Sequence, residues 1–104
     1  MKIPKSIKVG GHTLEIKYPH TFAETNEFWG LLNNAKKIIY LADTDTNGGR
    51  RKDSCIAVTF IHEVLHAIDD FTNCGVFAGP AGEKNIQAFS EAIYQVLIDN
   101  EMMQ

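Results

Sequence analysis

His62-Glu63-Val64-Leu65-His66 is the stretch from which the rest of the chain is read. It has the form H-E-x-x-H. On an α-helix, residues i and i+4 share one face, one turn apart. Imidazoles at 62 and 66 then close on a single Zn²⁺ with bonds of about 2.0–2.1 Å each. Glu63, next to the first ligand, projects to the adjoining side of the metal. From there it takes a proton from a metal-activated water. Roughly one shuffled chain in a hundred would show the pattern by chance. The flanking sequence therefore has to supply a helix, a cleft border and a third ligand.

The flanks meet the first two demands. Val58, Ile61, Leu65 and Ile68 recur at i, i+3, i+7 and i+10, which predicts a helix from about 54 to 71. Asp53 or Ser54 is the expected N-cap. At about 100° per residue, His62 and His66 stand beside the apolar stripe, backed by core and open to solvent. Residues 72–82, TNCGVFAGPAG, form a loop, and Pro80 is placed to open the next helix. A second helix is expected from about 81 to 100, with Ile86, Phe89, Ile93, Val96 and Leu97 as its stripe.

The N-terminal half reads as strands. Ile7 and Val9 alternate with polar residues, Gly10-Gly11 supplies a turn, and Leu14, Ile16 and Tyr18 alternate again before Pro19. Phe28-Trp29-Gly30-Leu31-Leu32, the turn Asn33-Asn34-Ala35-Lys36 and the run Lys37–Leu41 predict a second hairpin. The fold class is α+β: a small antiparallel sheet of three or four strands packed on two main helices. Residues 42–53, ADTDTNGGRRKD, are a polar loop. Its Asp43, Asp45, Asn47 and Gly48 suggest a calcium loop, but Ser54 stands where the twelfth-position Glu is required. Arg50-Arg51-Lys52 is taken as a solvated run.

Composition narrows the function classes. The 104 residues suit one domain, 1–104, with 44% hydrophobic and 22% charged residues. A net charge of −3 with scattered bases argues against a nucleic-acid partner. No run approaches the ~18–20 apolar residues of a membrane span, and MKIPKSIKV lacks a signal-peptide core. Cys55 and Cys74 are read as reduced thiols in a cytoplasmic protein. His12 and His20 are read as surface histidines.

A catalytic zinc has three protein ligands and one open place. The continuation H-E-x-x-H-x-x-G-x-x-H is ruled out, because Asp69 and Thr72 stand at its Gly and His positions. Glu83 and Glu91, on the second helix, compete for the third place. On a helical wheel Glu83 lies about 80° from the apolar stripe and Glu91 about 160° from it, which favours Glu83. Gln87, one turn after Glu83, is placed to accept the second ring N–H of a ligating histidine.

Residues 27–100 resemble the small phage- and prophage-type HExxH metallopeptidases related to the ImmA/IrrE family, a gluzincin-like group. Glu83-Lys84-Asn85-Ile86-Gln87-Ala88-Phe89-Ser90 is similar to that family's E-x-x-A-N-x-F-A, with Ile86, Gln87 and Ser90 as departures. The resemblance implies a minimal zincin-like domain, Glu83 as third ligand, and a peptide or protein substrate. It implies a bacterial or phage-infected host cytoplasm. In a zincin arrangement the strand at 37–41 lies either on the sheet edge beside the metal, where a substrate backbone pairs, or in the core, and the sequence does not separate the two. Tyr40, Tyr94, His12 and Arg50 stay open as oxyanion partners. The alternative function is a catalytically silent zinc-binding interaction protein whose structural metal takes Cys74 as a fourth ligand.

Overall fold

The computed structural model describes residues 2–22, 29–45 and 47–102. Four strands and two helices follow one another: β1 (Ser6–Val9), β2 (His12–Lys17), β3 (Gly30–Asn33), β4 (Ile38–Leu41), α1 (Asp53–Thr72) and α2 (Gly82–Asp99). The fold is α+β, a four-stranded sheet with two helices. Phe28, counted above in the second hairpin, lies outside the described residues.

The first hairpin has the expected two-residue turn. Val9 pairs with His12, and Gly10 and Gly11 both take positive φ, 56° and 84°. Only glycine adopts that pair of angles without steric cost, and its twist matches that of the strands. Along β2, Leu14 and Ile16 are buried while Thr13, Glu15 and Lys17 are exposed. The alternation shows one face on the core.

The sheet is mixed rather than wholly antiparallel. Its order is β1-β2-β4-β3, with β2 and β4 parallel and the two hairpin pairs antiparallel. Adjacent segments pair in each hairpin, but β4 inserts between β2 and β3. Burial explains this placement. Ile39 and Leu41 of β4 are both 0% exposed, and an interior strand covers such residues better than an edge. The edges are β1 and β3, and the strand at 37–41 is internal. Its start shortens to Ile38 because Lys37 takes a left-handed φ of 57° in the turn.

The sheet-facing side of α1 is not the predicted stripe. Ile56, Phe60 and Ala67 join Val9, Leu14, Ile16, Ile39 and Leu41 in the core cluster, with Val64 and Phe71 packed against it. Val58 and Ile61 are buried but lie outside that cluster, on the side left for α2. Ile68 is exposed. Both faces of α1 are apolar, so one stripe could not describe it. Lys52 is the N-cap, without a side-chain cap bond, and Asp53 sits in the first turn. There its charge suits the helix dipole and pairs with Arg50 at 2.9 Å.

Among the described elements, α2 packs on α1 alone. Its buried line is Gly82, Ile86 and Ser90, whereas Phe89 and Val96 of the predicted stripe are exposed. Ala81 is the N-cap, so Pro80 stops short of the helix. Gly82 tolerates no side chain, because a Cβ there would overlap the Phe77 carbonyl oxygen. Gly82→Ala is expected to lose about 1–3 kcal/mol of stability, as overpacking does. Urea denaturation measures this, and a variant as stable as wild type contradicts the close packing described.

Candidate metal centre

α1 and α2 bring His62, His66 and Glu83 together. Glu83 Oε2 lies 3.2 Å from His62 Nε2, and Glu83 Oε1 lies 2.9 Å from His66 Nε2. One ligand atom from each residue falls within 4.8 Å of the others. Donors of one tetrahedral zinc with bonds near 2.05 Å stand about 3.3 Å apart. The two separations run to different Glu83 oxygens and equal hydrogen-bond lengths, so they bring the three groups to one place without selecting the metal.

Hydrogen bonding around His62 supplies a second test of fit. Gln87 Nε2 donates to Glu91 Oε1 at 3.1 Å. A carboxylate only accepts, so the NH₂ of Gln87 faces Glu91 and its oxygen faces His62. That oxygen lies 2.9 Å from His62 Nδ1, which must donate. A neutral His62 ring then carries a lone pair on Nε2, opposite a Glu83 oxygen that also carries lone pairs. Either a proton on Nε2 or a metal cation between the two atoms satisfies both. The donor set fits a metal cation: two imidazole nitrogens and one carboxylate, with one ring tautomer already chosen.

Glu91, the alternative third ligand, is not in the three-residue group. It faces Gln87 instead. The predicted stripe misplaced α2's buried side. Glu83, Gln87 and Glu91 form a line at four-residue spacing, next to the buried line Gly82, Ile86 and Ser90. Cys74 is free and exposed and is also outside the group.

Glu63 lies on the sheet side of α1. It falls on the line of Ile56, Phe60 and Ala67, and it is 7% exposed. Burial raises its carboxyl above the ordinary carboxylate range. The neighbouring His62 and His66 imidazoles oppose that rise, Glu83 adds to it, and a hydrogen bond from the Leu32 backbone lowers it again. A Cβ at Gly30 would meet Thr59 Cγ2 at 2.7 Å and Glu63 Cγ at 3.1 Å. The missing side chain at 30 is therefore what lets β3 lie against Glu63.

A cleft of about 450 Å³ opens over these groups. Trp29, Gly30 and Leu31 of the β3 side border it, as do Thr59, His62, Glu63 and His66 of α1 and Glu83 and Gln87 of α2. Tyr40, Tyr94, His12 and Arg50 are not among its lining residues.

Two supports of the cleft escaped the sequence reading. Arg51 is 8% exposed, whereas Arg50 and Lys52 are solvated as expected. Its guanidinium donates to Ala42 O at 3.0 Å, Cys55 O at 3.2 Å and Thr59 Oγ1 at 2.7 Å. It also lies 5.1 Å from the Trp29 ring, so it ties the end of β4 to the start of α1 and to two cleft residues. Burial lowers its pKa from the ordinary arginine value. Nothing in the sequence separates Arg51 from its neighbours.

Asp69 is the second support. Its carboxylate accepts the backbone N–H groups of Val76 at 2.8 Å and Phe77 at 3.3 Å. It thereby shapes the loop that ends against Gly82. A signal was present here, since an acid in a helix's last turn opposes the dipole and needs another partner.

Comparison of the chain with family models, characterised proteins and solved structures finds no match.

A carboxyl with a raised folded-state pKa binds its proton more tightly when folded. Its contribution to stability is lost as pH rises from the ordinary carboxylate range through the folded pKa. Metal-free Glu63→Gln is therefore expected to melt above metal-free wild type at neutral pH. The gap should open with rising pH in thermal scans from about pH 4 to 8. A gap that does not change with pH contradicts the burial of an ionisable Glu63.

Proposed function

We propose that the chain is a zinc-dependent peptidase in which His62, His66 and Glu83 hold the metal and Glu63 is the general base. The observation that carries this reading is a buried carboxylate beside a two-histidine, one-carboxylate donor set, in a cleft. A structural site has no need of such a carboxylate. The resemblance of residues 27–100 to the ImmA/IrrE-related metallopeptidases supports the same reading, with peptide or protein as substrate.

When bound, zinc would supply a Lewis acid that brings the pKa of a water toward ~7 and polarises the scissile carbonyl. The residues of the chain do the rest. Glu63, held by the Leu32 backbone and pressed between Gly30 and α1, takes the proton from the attacking water. It then returns that proton to the leaving amine. Its burial suits it to hold a proton between the two steps.

The edge strand offers a place for the substrate backbone. Ala42 N–H donates to Trp29 O at 2.9 Å, and Leu31 pairs with Tyr40. By antiparallel alternation, Leu31 and Asn33 turn their backbone groups toward β4, and Gly30 and Leu32 turn theirs outward, where the Leu32 N–H already meets Glu63. An extended peptide would add to β3 on that outer side, with its carbonyl over the histidines. Trp29 would form one wall for its side chains. Of the two readings left open for the strand at 37–41, the edge role thus belongs to β3 instead.

No helix among the described residues is long and apolar enough to cross a membrane. A cytoplasmic setting in a bacterium or an infected host remains our proposal, on the two free cysteines.

A fluorogenic peptide library tests the activity. Zinc-loaded wild type is expected to cleave, and a chelator should abolish cleavage. Glu63→Gln should keep its zinc and lose roughly 10²–10⁴-fold in turnover, the usual contribution of general base catalysis. A Glu63→Gln protein with both zinc and full activity would sink the mechanism.

A further inference from the structure

We propose that Glu91 is a positioning residue that acts on His62 through Gln87 and so sets how well the site takes a metal. The proposal rests on the reading of His62 as a metal ligand. Glu83, Gln87 and Glu91 follow one another at four-residue spacing on α2, the separation at which helix side chains meet. The first faces the histidines, with oxygens 3.2 Å and 2.9 Å from the two Nε2 atoms. The second has its oxygen 2.9 Å from His62 Nδ1. The third accepts the amide N–H of the second at 3.1 Å.

An amide side chain has no intrinsic preference for which end it presents to a histidine, since its oxygen and NH₂ differ little in shape. Facing His62 with NH₂, Gln87 would require Nδ1 to accept. The proton would then move to Nε2, where it blocks the nitrogen that faces Glu83. Facing His62 with oxygen, Gln87 keeps the proton on Nδ1 and leaves Nε2 free to bind a metal. Glu91 selects the second arrangement, because a carboxylate attracts the NH₂ and repels the amide oxygen. This relay also gives Glu91 a role other than that of third ligand.

Reversing the selector tests this. In Glu91→Lys an ammonium donor would draw the Gln87 oxygen to itself and turn the NH₂ toward His62. Both positions are exposed and Lys is a good helix former, so the fold should tolerate the change. Two readouts apply: apparent zinc affinity by competition with a chromophoric chelator, and the His62 tautomer in the metal-free protein by ring ¹⁵N shifts. Glu91→Lys is expected to weaken zinc binding roughly tenfold or more, in the range of changes around metal-ligating histidines. In the metal-free protein it should also take the proton off His62 Nδ1 and leave one on Nε2, beside Glu83. The same substitution in a Gln87→Leu background measures the charge change alone and should have little further effect.

Equal losses in both backgrounds would overturn the proposal, since Glu91 would then act as a ligand or by charge. An unchanged tautomer in Glu91→Lys would overturn it as well. If wild type takes up no zinc, the metal reading fails by itself, and the ring shifts still decide whether Glu91 orients His62.

Discussion

The site depends on how closely α2 lies against α1. Gly82, Ile86 and Ser90 form the contact line, and two of the three are small. Helices approach one another most closely where such residues face the partner. At Gly82 a Cβ would strike the Phe77 carbonyl of the preceding loop, and Ser90 turns its hydroxyl onto the Ile86 carbonyl at 2.7 Å. One residue further round α2, Glu83, Gln87 and Glu91 are carried to the rim of the same contact. From there Glu83 reaches both histidines, 3.2 Å and 2.9 Å away. The carboxylate's side chain is 74% exposed, and the two imidazoles are its partners.

Glu63 is governed by the opposite condition. It sits where the helix would otherwise place a core residue, and burial works against its charge. A carboxylate perturbed by burial in a cleft marks a candidate site, and this supports the acid–base role proposed for Glu63. Here the surroundings are arranged for it: a glycine where β3 crosses, a backbone N–H from Leu32, and two imidazoles alongside. Arg51 and Asp69 lie further out. Arg51 fixes Thr59 and Trp29 from behind, and Asp69 shapes the loop that delivers Gly82. A cleft assembled from an edge strand and two helices needs such ties, because none of the three elements alone holds its side chains in register with the others.

Much of this was legible in the sequence because it rests on local rules. The glycine pair at 10–11, the alternation in β2 and the extent of both helices follow from turn chemistry and periodicity. His62, His66 and Glu83 follow from helical spacing plus one choice between two carboxylates. What was not legible depends on long-range packing. Inserting β4 between β2 and β3 makes a parallel pair that no local pattern encodes, and it puts Gly30–Asn33 rather than 37–41 on the edge. α1 is apolar on two sides, so Ile56, Phe60 and Ala67 were hidden behind the more regular Val58, Ile61 and Leu65. In α2, Phe89 and Val96 looked like core by size, whereas glycine and serine mark the true contact. Arg51 was invisible because its burial arises from carbonyls and an aromatic ring distant in the chain.

The central claim is that His62, His66 and Glu83 bind one metal ion together. Calorimetric titration of the metal-free protein with zinc tests it most directly, with Glu83→Ala and His66→Ala alongside. The account predicts one zinc per chain for wild type and a large loss of affinity in each variant, because each removes one of three ligands. Wild type that takes up no zinc would contradict the account, as would a Glu83→Ala protein that binds zinc as tightly as wild type.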